Sequence, residues 1–218
     1  MKRETTLYSQ NCIATSTTIN NGREYFEIHR AVAERLPFAD VDKITEELWR
    51  AYEDRRKVFL FGNGGSASLA CHLACDLGKG TALPEAGHKR FQVLALTNNT
   101  ALITALANDL SYEQIFAEQL RNLLDPGDIA FAISGSGNSP NVLKALQVSR
   151  ELGGINIGLG GFGGGRMKPL CDYSAVVPSD NMQIIEDLQV SMAHAVFTCL
   201  RQRISNLSGV KVQSAEAG

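Results

Sequence analysis

The chain has 218 residues, 44% of them hydrophobic, and a formal net charge of −2. That length can bury one sizeable core and requires no second one, and so weak a charge supplies no basic field for holding nucleic acid. No apolar run is long enough to span a bilayer, and the polar start of the chain lacks the apolar segment of a secretory leader.

These features read as a cytoplasmic protein that meets neither membrane nor nucleic acid directly, and the five cysteines, Cys12, Cys71, Cys75, Cys171 and Cys199, odd in number and scattered, read as reduced thiols. Residues 1–19 are polar and without apolar period, so they read as a flexible lead-in. Two amphipathic helices follow, over about 20–35 with Tyr25, Phe26, Ile28 and Val32, and over about 41–55 with Val41, Ile44, Leu48 and Tyr52, separated by Pro37. Such a pair either packs on the sheet or makes an interface with another copy, and the oligomer reading is preferred.

From residue 58 onward short apolar runs alternate with helical segments, the pattern of an α/β fold with a parallel sheet covered on both faces. Strands are expected at 58–61, 91–96, 129–133, 155–159 and 173–177, which fits a five-stranded, doubly wound, flavodoxin-like sheet within a single domain over 20–204, before a loose tail at 205–218. On such a sheet ligands sit outside the strands' C-terminal ends, here the turns after the first and third strands.

The first of these turns is GNGGS at 62–66, a strand running into two glycines and then Ser66, a good N-cap, which makes an anion- or hydroxyl-binding turn. The helix after it, over about 68–78, carries His72 and Asp76 at i,i+4, on one face. Asp76 reads as a base or as a solvated aspartate, and Cys71 and Cys75, at the same spacing, as a buried thiol stripe. The stretch 78–90, with Pro84 and a solvated His88, suits a mobile loop, and Asn108-Asp109 interrupts the helix that begins near Asn99. The second turn, Ser134-Gly135-Ser136-Gly137-Asn138-Ser139, collects hydroxyls and backbone N–H groups at a helix N-terminus, as a phosphate monoester requires. Residues 158–165 are glycine-dense without the Walker lysine and read as a flexible loop. A long helix over about 180–203 bears Glu186, Gln189 and His194, the last either a packed histidine or an acid/base group.

The GNGGS turn, the ISGSGNSPNV loop and the IEDLQVSMAH segment together resemble the sugar isomerase (SIS) domain proteins over about residues 20 to 204, and among them the phosphoheptose isomerases. The resemblance implies an isomerase interconverting sedoheptulose 7-phosphate and D-glycero-D-manno-heptose 7-phosphate through an enediol, in nucleotide-activated heptose and surface polysaccharide biosynthesis. It also implies a homotetramer with sites near subunit interfaces and leading helices at the contact. By the same likeness Asn63, Gly64, Gly65, Asn108 and Asp109 contact the sugar, and Ser134, Gly135, Ser136 and Ser139 hold the phosphate. Asp76, where the family has glutamate, and His194 fall on the catalytic pair, Glu186 on a substrate-contacting position usually glutamine, and Gln189 where many members have histidine.

An aspartate reaches one methylene less far than a glutamate, and Glu186 adds negative charge beside an enediol unless a cation offsets it. The resemblance points to zinc held by His72, Asp76, Glu186 and His194, although Glu186 and His194 stand about 12 Å apart along a straight helix, so that one ion takes both only with a bend or a neighbouring subunit. No redox or nucleotide cofactor is implied. The alternative is a non-catalytic sugar-phosphate-binding regulator of the same family, including the kind that binds a replication initiator.

Overall fold

The computed structural model describes residues 18–82 and 89–208; the lead-in to residue 17, His88 and residues 209–218 lie outside the described residues. Helix α1 (Gly22–Ala33) starts at Asn21, whose side chain accepts a hydrogen bond from the Glu24 amide, and it buries only Val32. Helix α2 (Phe38–Asp54) starts at Pro37 and buries Val41, Ile44, Leu48, Ala51 and Tyr52 at helical spacing. It packs against the last helix and the last strand of its own chain. Of the two readings of the leading helices, packing on the sheet therefore holds for α2, while Phe26 of α1 and Phe38 at the start of α2 stay largely exposed.

The strands are β1 (Lys57–Gly62), β2 (Gln92–Ala95), β3 (Ile129–Ser134), β4 (Ile155–Gly160) and β5 (Tyr173–Val176). All pair in parallel, in the order β2-β1-β3-β4-β5. Successive residues of a strand point to opposite faces. Val58 and Leu60 accordingly join a core with α2, helix α3 (Gly65–Cys75) and helix α7 (Met182–Ser208). Phe59 and Phe61 join a second core with helices α5 (Ala117–Leu123) and α6 (Pro140–Glu151). Helix α4 (Thr100–Asp109), begun by the Asn99 side chain accepting from the Leu102 amide, lies at the edge of that second layer and buries no residue fully.

The order of strands reverses between β1 and β3, and this switch point sets the two candidate turns side by side at the C-terminal edge of the sheet. Three boundaries differ from expectation. Helix α3 is capped by Gly64, at φ 55°, rather than by Ser66, which is buried one step inside the helix. After Cys75 the chain does not leave the helix but widens into a π-helical turn, Asp76–Gly80. Helix α7 runs past 203 to Ser208 because Leu200 and Ile204, four residues apart, prolong its buried stripe. No helix among the described residues is long and apolar enough to cross a membrane.

Candidate active site

Asn63 follows β1 at the switch point and is locked by three hydrogen bonds. Its Nδ2 donates to Asn141 Oδ1 at 2.9 Å, and its Oδ1 accepts from Asn141 Nδ2 at 2.8 Å and from the Tyr112 hydroxyl at 2.9 Å. Asn141 is 1% exposed and belongs to the first turn of α6, so the amide pair ties the first turn to the serine loop. An amide nitrogen has two N–H groups, and the second one on Asn63 is a donor of fixed direction. Asn108 and Asp109 are exposed at the end of α4, with Asn108 Nδ2 donating to Asp109 Oδ1 at 2.8 Å, three residues before Tyr112.

In the serine loop the hydroxyls do not share one task. Ser134 is buried and its Oγ accepts from the Gly137 amide at 3.2 Å, so it shapes the turn. Ser136 and Ser139 are half-buried; Ser136 Oγ accepts from the Asn138 amide at 3.2 Å, while Ser139 is the N-cap of α6 without using its side chain. Gly137 stands at φ 63°, and a Cβ there would come 2.2 Å from the Gly164 carbonyl oxygen. The glycine-dense segment is thus no free loop. The Met167 amide donates to the Gly137 carbonyl at 2.9 Å and the Arg166 amide to Asn138 Oδ1 at 3.1 Å, so it buttresses the serine loop from behind.

From α3, the π-helical turn that continues it and α7, the residues His72, Asp76 and His194 come together. Asp76 Oδ2 lies 3.5 Å from His72 Nε2 and 3.9 Å from His194 Nε2, and the two Nε2 atoms are 3.2 Å apart. Tetrahedral zinc with ligands at about 2.0–2.1 Å places its donors about 3.3 Å from each other. The spacing and the two-imidazole, one-carboxylate set fit a divalent ion with a coordination position open to a ligand. Glu186 is not in this group within the single chain. Its carboxylate lies instead over the start of α3, where a Cβ added to Gly65 would be 3.0 Å from each of its oxygens. Gln189 turns inward, 1% exposed, and donates to the Leu159 carbonyl at 3.1 Å. The thiols of α3 are not a buried stripe: Cys75 is exposed, and half-buried Cys71 donates to Asn98 Oδ1 at 2.8 Å.

The sequence model of the SIS domain matches residues 24–161, more than half of the chain. The chain belongs to the SIS domain family. Within it, a phosphoheptose isomerase of Paramagnetospirillum magneticum is 44% identical over 140 residues, 64% of this chain and 71% of the relative. One of Helicobacter pylori is 40% identical over 154 residues, 71% of this chain and 79% of the relative. Among solved structures, the phosphoheptose isomerase of Neisseria gonorrhoeae superposes with a TM-score of 0.75 at 27% identity, covering 83% of this chain and 96% of that one. The Francisella tularensis enzyme gives 0.76 at 29% identity with the same coverage. These likenesses put the SIS chain in the phosphoheptose isomerase branch.

Two residues of this SIS site escape a reading by motif. Asn141 follows the serine run by one proline and looks like helix, and Tyr112 looks like one apolar position of an amphipathic segment. Only a polar group on an otherwise apolar face, the Tyr112 hydroxyl, marked it in the sequence.

Proposed function

We propose that the chain is an aldose–ketose isomerase interconverting sedoheptulose 7-phosphate and D-glycero-D-manno-heptose 7-phosphate, in the making of nucleotide-activated heptose for surface polysaccharide. The observation that carries the reading is the meeting of one carboxylate and two imidazoles from different helices, His72, Asp76 and His194, within 4.8 Å of each other. The phosphate is assigned to Ser136, Ser139 and the backbone amides of the loop, shaped by Ser134 and Gly135, at the positive end of α6. The sugar hydroxyls are assigned to Asn63, Gly64, Gly65, Asn108, Asp109 and Glu186.

With the phosphate anchored, the reaction needs one proton moved between adjacent carbons and one between their oxygens. Asp76 Oδ2 is the oxygen turned toward both imidazoles, which leaves Oδ1 to take the proton from the carbon beside the carbonyl and return it to the neighbouring carbon. His194 moves the proton between the oxygens. His72, Asp76 and His194 are the residues that would hold zinc; zinc there would occupy the His194 Nε2 and polarise the substrate carbonyl in place of that imidazole's proton. The exposed Phe26, Phe38 and α4 faces support a homotetramer with α1 and α4 at its contacts.

Incubating the purified protein with sedoheptulose 7-phosphate, with added zinc and with chelator, and following the aldose product tests the reading. Turnover that chelator abolishes and zinc restores is expected. Binding of the sugar phosphate without turnover under either condition would overturn it in favour of a non-catalytic regulator.

A further inference from the structure

We infer that Gly80 is a positioning residue for the Asp76 carboxylate, acting through its contact with Phe197; the inference rests on the isomerase reading of the site. An aspartate side chain is short, so its backbone has to be brought to wherever the carboxylate works. Here Asp76 continues α3, its amide donating to the His72 carbonyl, and opens the π-helical turn Asp76–Gly80, a widened turn of the kind that occurs often at functional sites. Leu77 anchors the turn in the core, fully buried, and the Thr81 hydroxyl donates to the Leu77 carbonyl at 2.6 Å. At its far end the turn leans on α7: a Cβ on Gly80 would lie 2.6 Å from Phe197 Cζ and 2.7 Å from its Cε2.

Phe197 follows His194 by three residues and so shares its side of α7. The Gly80 contact therefore sets how near the turn comes to the segment of α7 that carries His194, and with it the 3.9 Å between Asp76 Oδ2 and His194 Nε2. Gly80 is not among the glycines at positive φ, so the backbone would accept alanine there. What excludes a side chain is the aromatic ring alone. A methyl group at 80 meets the Phe197 ring, pushes the turn off α7 and draws Asp76 away from the His194 imidazole.

The test compares wild type, Gly80→Ala, Phe197→Leu and the double variant, each as the full chain. Steady-state kinetics with sedoheptulose 7-phosphate is read beside a Co²⁺ titration followed by its visible absorption, which reports ligand geometry without turnover. Gly80→Ala is expected to lower kcat by about tenfold or more with KM nearly unchanged, since small misplacements of reacting groups cost factors of this size, and to weaken and alter the Co²⁺ spectrum. Phe197→Leu in the same chain makes room for the methyl and restores both to within about threefold of wild type. Wild-type kcat and spectrum in Gly80→Ala overturn the inference, as does a double variant no better than the single one. If Gly80→Ala does not fold, Phe197→Leu alone decides: it loosens the contact without adding an atom, and an unchanged Co²⁺ affinity overturns the inference. A wild type that neither turns over nor binds Co²⁺ overturns the isomerase reading instead.

Discussion

Asn63 shows how little of a site's chemistry lies in the residue itself. Its amide becomes a directed donor only because Asn141 and Tyr112 satisfy the rest of it. Tyr112→Phe removes one hydrogen bond of about 0.5–1.5 kcal/mol, and the expected result is a two- to tenfold fall in kcat/KM, on the order of that energy, read in steady-state kinetics. Asp76→Asn keeps the shape and removes the base, so kcat should fall by about 10²–10⁴ while sugar-phosphate affinity, measured by calorimetry, stays within about threefold of wild type. His72 and Asp76 were legible from spacing because a helix fixes the relation of i to i+4. Their meeting with His194 was legible only through the family resemblance, because it depends on how α7 crosses α3, which no local spacing encodes.

At the scale of elements, the glycine-dense segment after β4 misleads a sequence reader, since glycine marks both mobile chain and close backbone packing. Here the second applies: Gly137 and Gly164 touch through backbone, and neither the positive φ nor the gap leaves room for a side chain. Gly137→Ala should therefore cost about 1–3 kcal/mol in backbone strain, seen as a lowered thermal midpoint, and should raise KM more than it lowers kcat because the loop it distorts holds the phosphate. Helices α1 and α7 are joined by the Tyr25 hydroxyl donating to Asp187. Burial first, then that hydrogen bond and the Asp187 charge, push the phenol up to about 12 from its usual value near 10. Since the folded state keeps this proton longer than the unfolded chain, the contribution is whole below pH 10 and is lost as pH rises toward 12. Urea titrations of wild type and Tyr25→Phe should thus differ at neutral pH and converge across that interval; a difference that persists above it would remove Tyr25 from the account of alkaline unfolding.

For the molecule as a whole, the sheet was readable in advance because each strand is a short apolar run between breakers, and the parallel order follows from the intervening helices. What faces outward was harder to read, since amphipathic spacing says which side of a helix is apolar and not what covers it. Helix α2 spends its apolar side on its own core, whereas α4, rich in Ala, Leu and Ile, buries nothing fully, and Leu110 and Phe26 remain 59% and 67% exposed. Covering a side chain of that size stabilises by about 1.5–3 kcal/mol, which favours an assembly that covers these faces against the cost of bringing the copies together. Tyr112 lies 57% exposed beside Leu110 while its hydroxyl holds Asn63, which links that apolar face to the first turn of the site. Light scattering coupled to size exclusion should give the mass of a tetramer for the wild type. Leu110→Glu, in contact with no core, should lower that mass without changing the circular dichroism, and should lower kcat/KM with it because Tyr112 loses its cover. A wild type that runs as a monomer, or a dissociated Leu110→Glu protein with unaltered kinetics, would separate the site from the assembly and leave α4's bare face without this explanation.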